Sequence, residues 1–367
     1  YEMSASLVGS EMCIRDRVRY LNVLLRLENN VRAYTTETLW MQACLNLIYL
    51  LPGFVTQDAR AFVLGAVCSF AGVAVFYWRR ASKGQTKEAP VRGLRPYAHI
   101  YRAALPYGIV LAPAAILIPL YRAICLSFLG NYAPAAEQGS FDFAYTLAQL
   151  VTTIQAGFST YWGPYVYAHY RTEQERIGRI HDLLNLLIFG FFCLLVMFED
   201  IIFIIFPAKS ACLPYFPLMM LAVVFSILCE GTVYGNTIAR KPFQDTIGTA
   251  VGVAANIAVC AVLVPRFGVM GAAVGLVAAN ATMFLYRTVT GQYYYRTIPS
   301  FSRTICGFLL AVGVAVIGVV FAHNFIIKFV LTAAILFIYC NIYRAQLYKL
   351  WQIFMGFVRR YLLHSQA

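Results

Sequence analysis

Ten stretches of roughly 17–25 residues, each almost wholly apolar, follow one another along this chain and take up more than half of it. That is the length a helix needs to cross about 30 Å of hydrocarbon. The stretches are near 38–54, 61–78, 103–129, 141–165, 183–206, 213–235, 247–264, 269–286, 304–321 and 325–343. Within lipid a backbone must satisfy its own polar groups, and helices do so segment by segment. The expected fold is therefore all-α: a polytopic membrane helix bundle of about ten transmembrane helices. Composition excludes the alternatives. Apolar residues are 60% and charged residues 12% of 367, where soluble domains run nearer half and a quarter.

Basic residues orient such a chain. If the polar start is cytoplasmic and ten spans alternate, the inside segments are 18–37, 79–102, 166–182, 236–246, 287–303 and 344–367. They hold 22 Lys and Arg, against four on the other side: Arg60, Lys209, Arg266 and Lys328. The asymmetry predicts both ends on the cytoplasmic face. It also accounts for the net charge of +13 without nucleic acid, for which no basic and aromatic groove is visible. The ten cysteines are scattered, mostly inside apolar stretches, and read as small packing residues rather than as disulfides or metal ligands.

Residues 1–17 (YEMSASLVGSEMCIRDR) have neither helical period nor signal-peptide pattern, and Ser6–Arg17 resembles a translated sequencing adapter. They are set aside, with the expectation that a true N-terminus is missing. Residues 79–102 carry seven basic residues with Pro90, Pro96, Gly84 and Gly93, and read as a cytoplasmic linker. The amphipathic stretch 347–363 is expected to lie along the anionic leaflet.

No G-x-S-x-G, H-E-x-x-H or paired-carboxylate motif is present, and the five histidines fall near span ends as expected interface residues. No catalytic centre, metal or cofactor is expected. Charges inside spans are costly and usually face a cavity or a partner. Arg122 has two open readings: an anion contact in a wet cavity, or an arginine snorkelling to headgroups. Asp142 reads as a first-turn carboxylate favoured by the helix dipole, with ion coupling as the rival. Glu230 is a modest candidate for ion coupling or for pairing with an arginine. Glu199 and Asp200 read as interface markers. Gln149 and Gln155 either line a cavity or bond neighbouring helices, as do Asn46, Asn256 and Asn280.

Several strings combine. They are Arg26-Leu-Glu-Asn-Asn-Val-Arg-Ala-Tyr34, Phe128-Leu-Gly130 with Gln138-Gly-Ser-Phe141 and Ala144-Tyr145, Trp162-Gly-Pro-Tyr165, and Pro265-Arg-Phe-Gly-Val-Met-Gly271. In this order and spacing, over about 18–345, the chain resembles the O-antigen-type polysaccharide flippases of the multidrug/oligosaccharidyl-lipid/polysaccharide exporter superfamily. The resemblance implies a fold of two six-helix lobes, of which this chain matches helices five to fourteen. Residues 18–78 would be the remnant of the first lobe, 103–295 the second lobe, 296–345 an accessory pair and 346–367 a cytoplasmic tail.

It further implies a transporter rather than an enzyme, in the bacterial inner membrane. The substrate would be a polyprenyl-diphosphate-linked oligosaccharide, moved by alternating access with possible H+ or Na+ coupling, beside polysaccharide assembly proteins. Arg122, Gln149 and Gln155 would contact substrate, and Glu230 and Asp142 would be the coupling candidates. Tyr121 stands where the family often has an acid before the arginine. A cation-coupled drug exporter is the nearest alternative. A membrane glycan polymerase or ligase is disfavoured by the short outward loops.

Overall fold

A computed structural model describes residues 98–348, together with helical positions 68, 72, 75, 351, 352 and 355. The first two expected spans and most of the basic linker fall outside the described residues. The chain divides into two compact units, residues 1–99 with 150–165, and residues 100–149 with 166–367.

No strand occurs among the described residues. The helices are α1 (Ala98–Tyr132), α2 (Ala135–Gln149), α3 (Val151–His169), α4 (Gln174–Ile205), α5 (Phe216–Thr232), α6 (Tyr234–Ile238), α7 (Phe243–Phe267), α8 (Val269–Tyr294), α9 (Phe301–Val320) and α10 (Phe325–Ile342), with a 3₁₀ turn at Pro207–Cys212. Seven of the resulting segments are long and apolar enough to cross a membrane. The expected single span 141–165 is corrected: it is two helices, α2 and α3, parted at Leu150.

In the second unit, α5 is the central helix. About 72% of its apolar window is buried, against 17% for α10 and 22% for α9. A helix apolar all round belongs in the interior, and Phe216, Met219, Met220, Val224 and Phe225 fill it accordingly. α9 runs antiparallel beside α5, through a stack of Phe225 on Phe308 at 4.6 Å. α8 runs parallel to α5, where Thr232 and Thr288 hydroxyls meet at 2.8 Å. α10 returns antiparallel along α4, with Phe189 stacked on Tyr339 at 3.8 Å.

The α7–α8 hairpin turns at Gly268, whose φ of 53° and ψ of −126° suit glycine alone. Its helices then approach closely. A Cβ on Gly252 would stand 2.8 Å from the Ala279 carbonyl, a spacing only a small residue tolerates. The outward faces are apolar, with Ile204, Ile326, Phe337 and Leu309 largely exposed. Hydrocarbon is the solvent in which such a face is stable, so the molecule is a multi-pass membrane helix bundle.

Alternation of the helices places the start of α4, the α6–α7 turn, the α8–α9 loop and the end of α10 at one rim of this unit. Exposed Arg171, Arg176, Arg179, Arg240, Lys241, Arg296 and Arg344 gather there, whereas the opposite rim exposes Arg266.

Candidate functional site

α1 is interrupted by Pro106, Pro113 and Pro119, each of which removes one i→i−4 hydrogen bond from a 35-residue helix. Just beyond Pro119, two adjacent side chains point different ways because consecutive helical residues are about 100° apart. Tyr121 is buried, and its hydroxyl donates to the Thr249 carbonyl of α7 at 3.0 Å. One turn on, Cys125 lies on the same face, with its Sγ 3.8 Å from that of Cys260. Between them the Asn256 amide donates to the Tyr121 carbonyl at 2.8 Å. Asn256 is thus an interhelical bond between α7 and α1. Asn280 instead bonds the Leu276 carbonyl of its own helix.

Arg122 turns toward α2. Its Nε donates to Asp142 Oδ1 at 2.7 Å, and its Nη2 closes on the same oxygen. The guanidinium also lies 5.4 Å from the ring centroid of Tyr145, one turn beyond Asp142, in cation–π range. About 41% of the Arg122 side chain and 38% of Asp142 remain exposed. Both contacts use Oδ1, so Oδ2 of the carboxylate and Nη1 of the guanidinium are unengaged among the described residues. The arrangement presents a hydrogen-bond donor fork and a carboxylate side by side, a pair able to exchange its internal partner for an external anion or cation.

The first-turn reading of Asp142 is corrected. Glu137 occupies the first turn of α2, and Asp142 stands a full turn later, committed to Arg122. Gln149 ends α2 and hydrogen-bonds Tyr145 one turn back, extending the same face. Gln155 is half-buried on α3, in the other unit. Glu230 is half-buried in the last turn of α5, toward the basic rim and far along the bundle from Asp142. Arg122, Asp142 and Gln149 are therefore brought to one locus, and Glu230 is not.

Three further expectations are corrected. Glu199 and Asp200 are not interface markers: Lys328 of α10 ion-pairs Glu199 at 2.9 Å and Asp200 at 2.5 Å, and both Lys328 and Glu199 are fully buried. Each residue sits in an apolar run, which hid the long-range pair from sequence reasoning. His181 is buried and joined to Asn185 at 3.0 Å, rather than solvated. Arg287 is not a loop residue, because α8 runs on to Tyr294. It donates to the Asp245 carbonyl at 3.0 Å and to the Thr249 hydroxyl at 2.7 Å. Asn236 in turn donates to Asp245 Oδ1 at 2.9 Å, tying α6 to α7. Among the described residues no cluster of His, Cys, Asp and Glu could hold a metal ion.

Fold and site together define a membrane-spanning α-helical protein with a partly open ion pair between α1 and α2. Compared with protein families, characterised proteins and solved structures, the chain matches none.

Proposed function

We propose that the chain belongs to a flippase that carries a polyprenyl-diphosphate-linked oligosaccharide across the bacterial inner membrane by alternating access. The observation that carries this reading is Arg122: a guanidinium in an apolar helix, 41% exposed, held by one oxygen of one carboxylate. A diphosphate offers more negative charge and better fork geometry than that carboxylate, so it can take Arg122 from Asp142. Release of Asp142 then leaves a carboxylate able to accept a proton or Na+, which supplies a physical link between substrate and coupling ion. The basic rim is the cytoplasmic face in this reading, because Lys and Arg accumulate on that side. The string resemblance to polysaccharide flippases points the same way. A cation-coupled drug exporter fits less well, since the exposed charge beside Asp142 is itself cationic.

The test is binding of a polyprenyl-diphosphate sugar to the protein in nanodiscs. Arg122→Ala is expected to weaken binding roughly ten- to hundred-fold, from about 1.5–3 kcal/mol for a hydrogen bond to a charged group. Asp142→Asn, which frees Arg122, is expected to tighten it. Arg122→Ala binding like the wild type would sink the proposal.

A further inference from the structure

A second polar locus lies at the basic rim, where the ends of four elements line an open cavity of about 460 Å³. Its lining includes Arg179 and Asp182 from the start of α4, Arg296 and Pro299 from the α8–α9 loop, Arg303 from the first turn of α9, and Gln346 beyond α10. Asp182 is already engaged through one oxygen, while its Oδ1 is buried with no partner among the described residues. Arg303 pairs with its Oδ2 at 3.2 Å, and Gln346 donates to the same oxygen at 3.0 Å. Glu175 also lines the cavity, so its charged side chains sum to +1. Arg179 and Arg296 are both exposed, and no carboxylate among the described residues pairs with either. Two guanidiniums thus stand at the mouth of a preformed cavity with their forks unfilled.

What lies beside the mouth indicates the ligand. From the cavity's edge, Phe301, Ile305 and Leu309 of α9 are 54%, 45% and 62% exposed. Their spacing of four residues makes one apolar stripe along the helix, running from the rim into the bilayer. Tyr293, 83% exposed near the end of α8, marks the headgroup level, where amphipathic rings concentrate. A ligand with a phosphate at the mouth and acyl chains along the stripe satisfies both observations. We infer that this cavity is a binding site for the phosphodiester headgroup of an anionic phospholipid, held by Arg179 and Arg296 with its chains on α9. Basic pockets between helices at a membrane rim are suited to such headgroups.

The site is separate from the Arg122–Asp142 pair and does not depend on the transport reading. It is tested by placing the protein in phosphatidylcholine nanodiscs with graded phosphatidylglycerol and counting retained lipid by native mass spectrometry. The wild type is expected to retain phosphatidylglycerol over phosphatidylcholine. The Arg179→Gln, Arg296→Gln double variant is expected to lose that retention roughly ten-fold, the scale of lost charge-assisted hydrogen bonds. Arg171→Gln, another exposed charge on the same rim outside the cavity, is expected to leave it unchanged. Both target side chains are exposed, so folding survives their loss, and each single substitution reads against the same control. Equal retention by the double variant overturns the site, and an equal loss in Arg171→Gln reduces it to general surface charge. Displacement of phosphatidylglycerol by millimolar inorganic phosphate would overturn the lipid assignment, and resistance to it supports the acyl contribution.

Discussion

Replacing Lys328 with methionine removes a cation that two carboxylates share. Glu199 and Lys328 are wholly buried, and Asp200 is 23% exposed, so solvent screens this cluster little. Methionine preserves the volume and the apolar stem of the side chain, which isolates the charge. What remains is a buried glutamate facing an adjacent aspartate with no counter-ion. Breaking a buried pair by removing one partner costs about 3–5 kcal/mol. That is two to nearly four decades in the folded-to-unfolded ratio, at about 1.4 kcal/mol per decade. The cost falls on the α4–α10 contact, since Lys328 joins the end of one helix to the start of the other. Refolding titrations between mild detergent and SDS, followed by tryptophan fluorescence, would measure it. Removing all three charges together, with Glu199→Leu and Asp200→Asn added to Lys328→Met, is expected to restore most of the loss, because the buried pair's desolvation cost disappears with it. A Lys328→Met protein within about 1 kcal/mol of wild type, the scale of a surface ion pair, would refute the assignment of this cluster as a buried ionic pin.

Two other perturbations probe the α7–α8 hairpin and its bond to α1. Asn256→Leu strips the Tyr121 carbonyl of its interhelical donor, and is expected to cost about 1–3 kcal/mol in the same titration; an unchanged midpoint would mean that water or a neighbour replaces the bond. Gly268→Ala forces a side chain into a backbone conformation reserved for glycine, with an expected loss of about 1–3 kcal/mol. Gly268→Asn should not recover it, because ψ of −126° lies outside the left-handed helical region that asparagine tolerates; rescue by asparagine would show that the hairpin has another turn.

Seven of the ten expected spans coincide with described helices long and apolar enough to cross a membrane, because hydropathy over 18 or more residues is a summed signal that no single contact can reverse. The break at Leu150 was not, since α2 and α3 together are apolar enough to read as one crossing. Arg122 stood out as a charge among apolar neighbours. Its partner did not, because Asp142 lies 20 residues away on another helix and its own neighbourhood suggests a capping role. Lys328 and Glu199 are 129 positions apart, and each looked like a residue at the edge of a span. The rim cavity was invisible for the same reason: Arg179, Arg296 and Arg303 belong to separate segments in sequence, and only the return of α8 and α10 to one end assembles them.

The amino-acid order alone determined the all-helical, membrane-spanning character of the protein, since burial in hydrocarbon is additive along each segment. It also determined the gathering of positive charge in alternate loops. Which charge meets which was decided by tertiary structure, because pairing depends on helix rotation and neighbour choice. Neither is encoded locally: a 100° turn sends Tyr121 to α7 and Arg122 to α2, and nothing between residues 121 and 122 says which helix will be there.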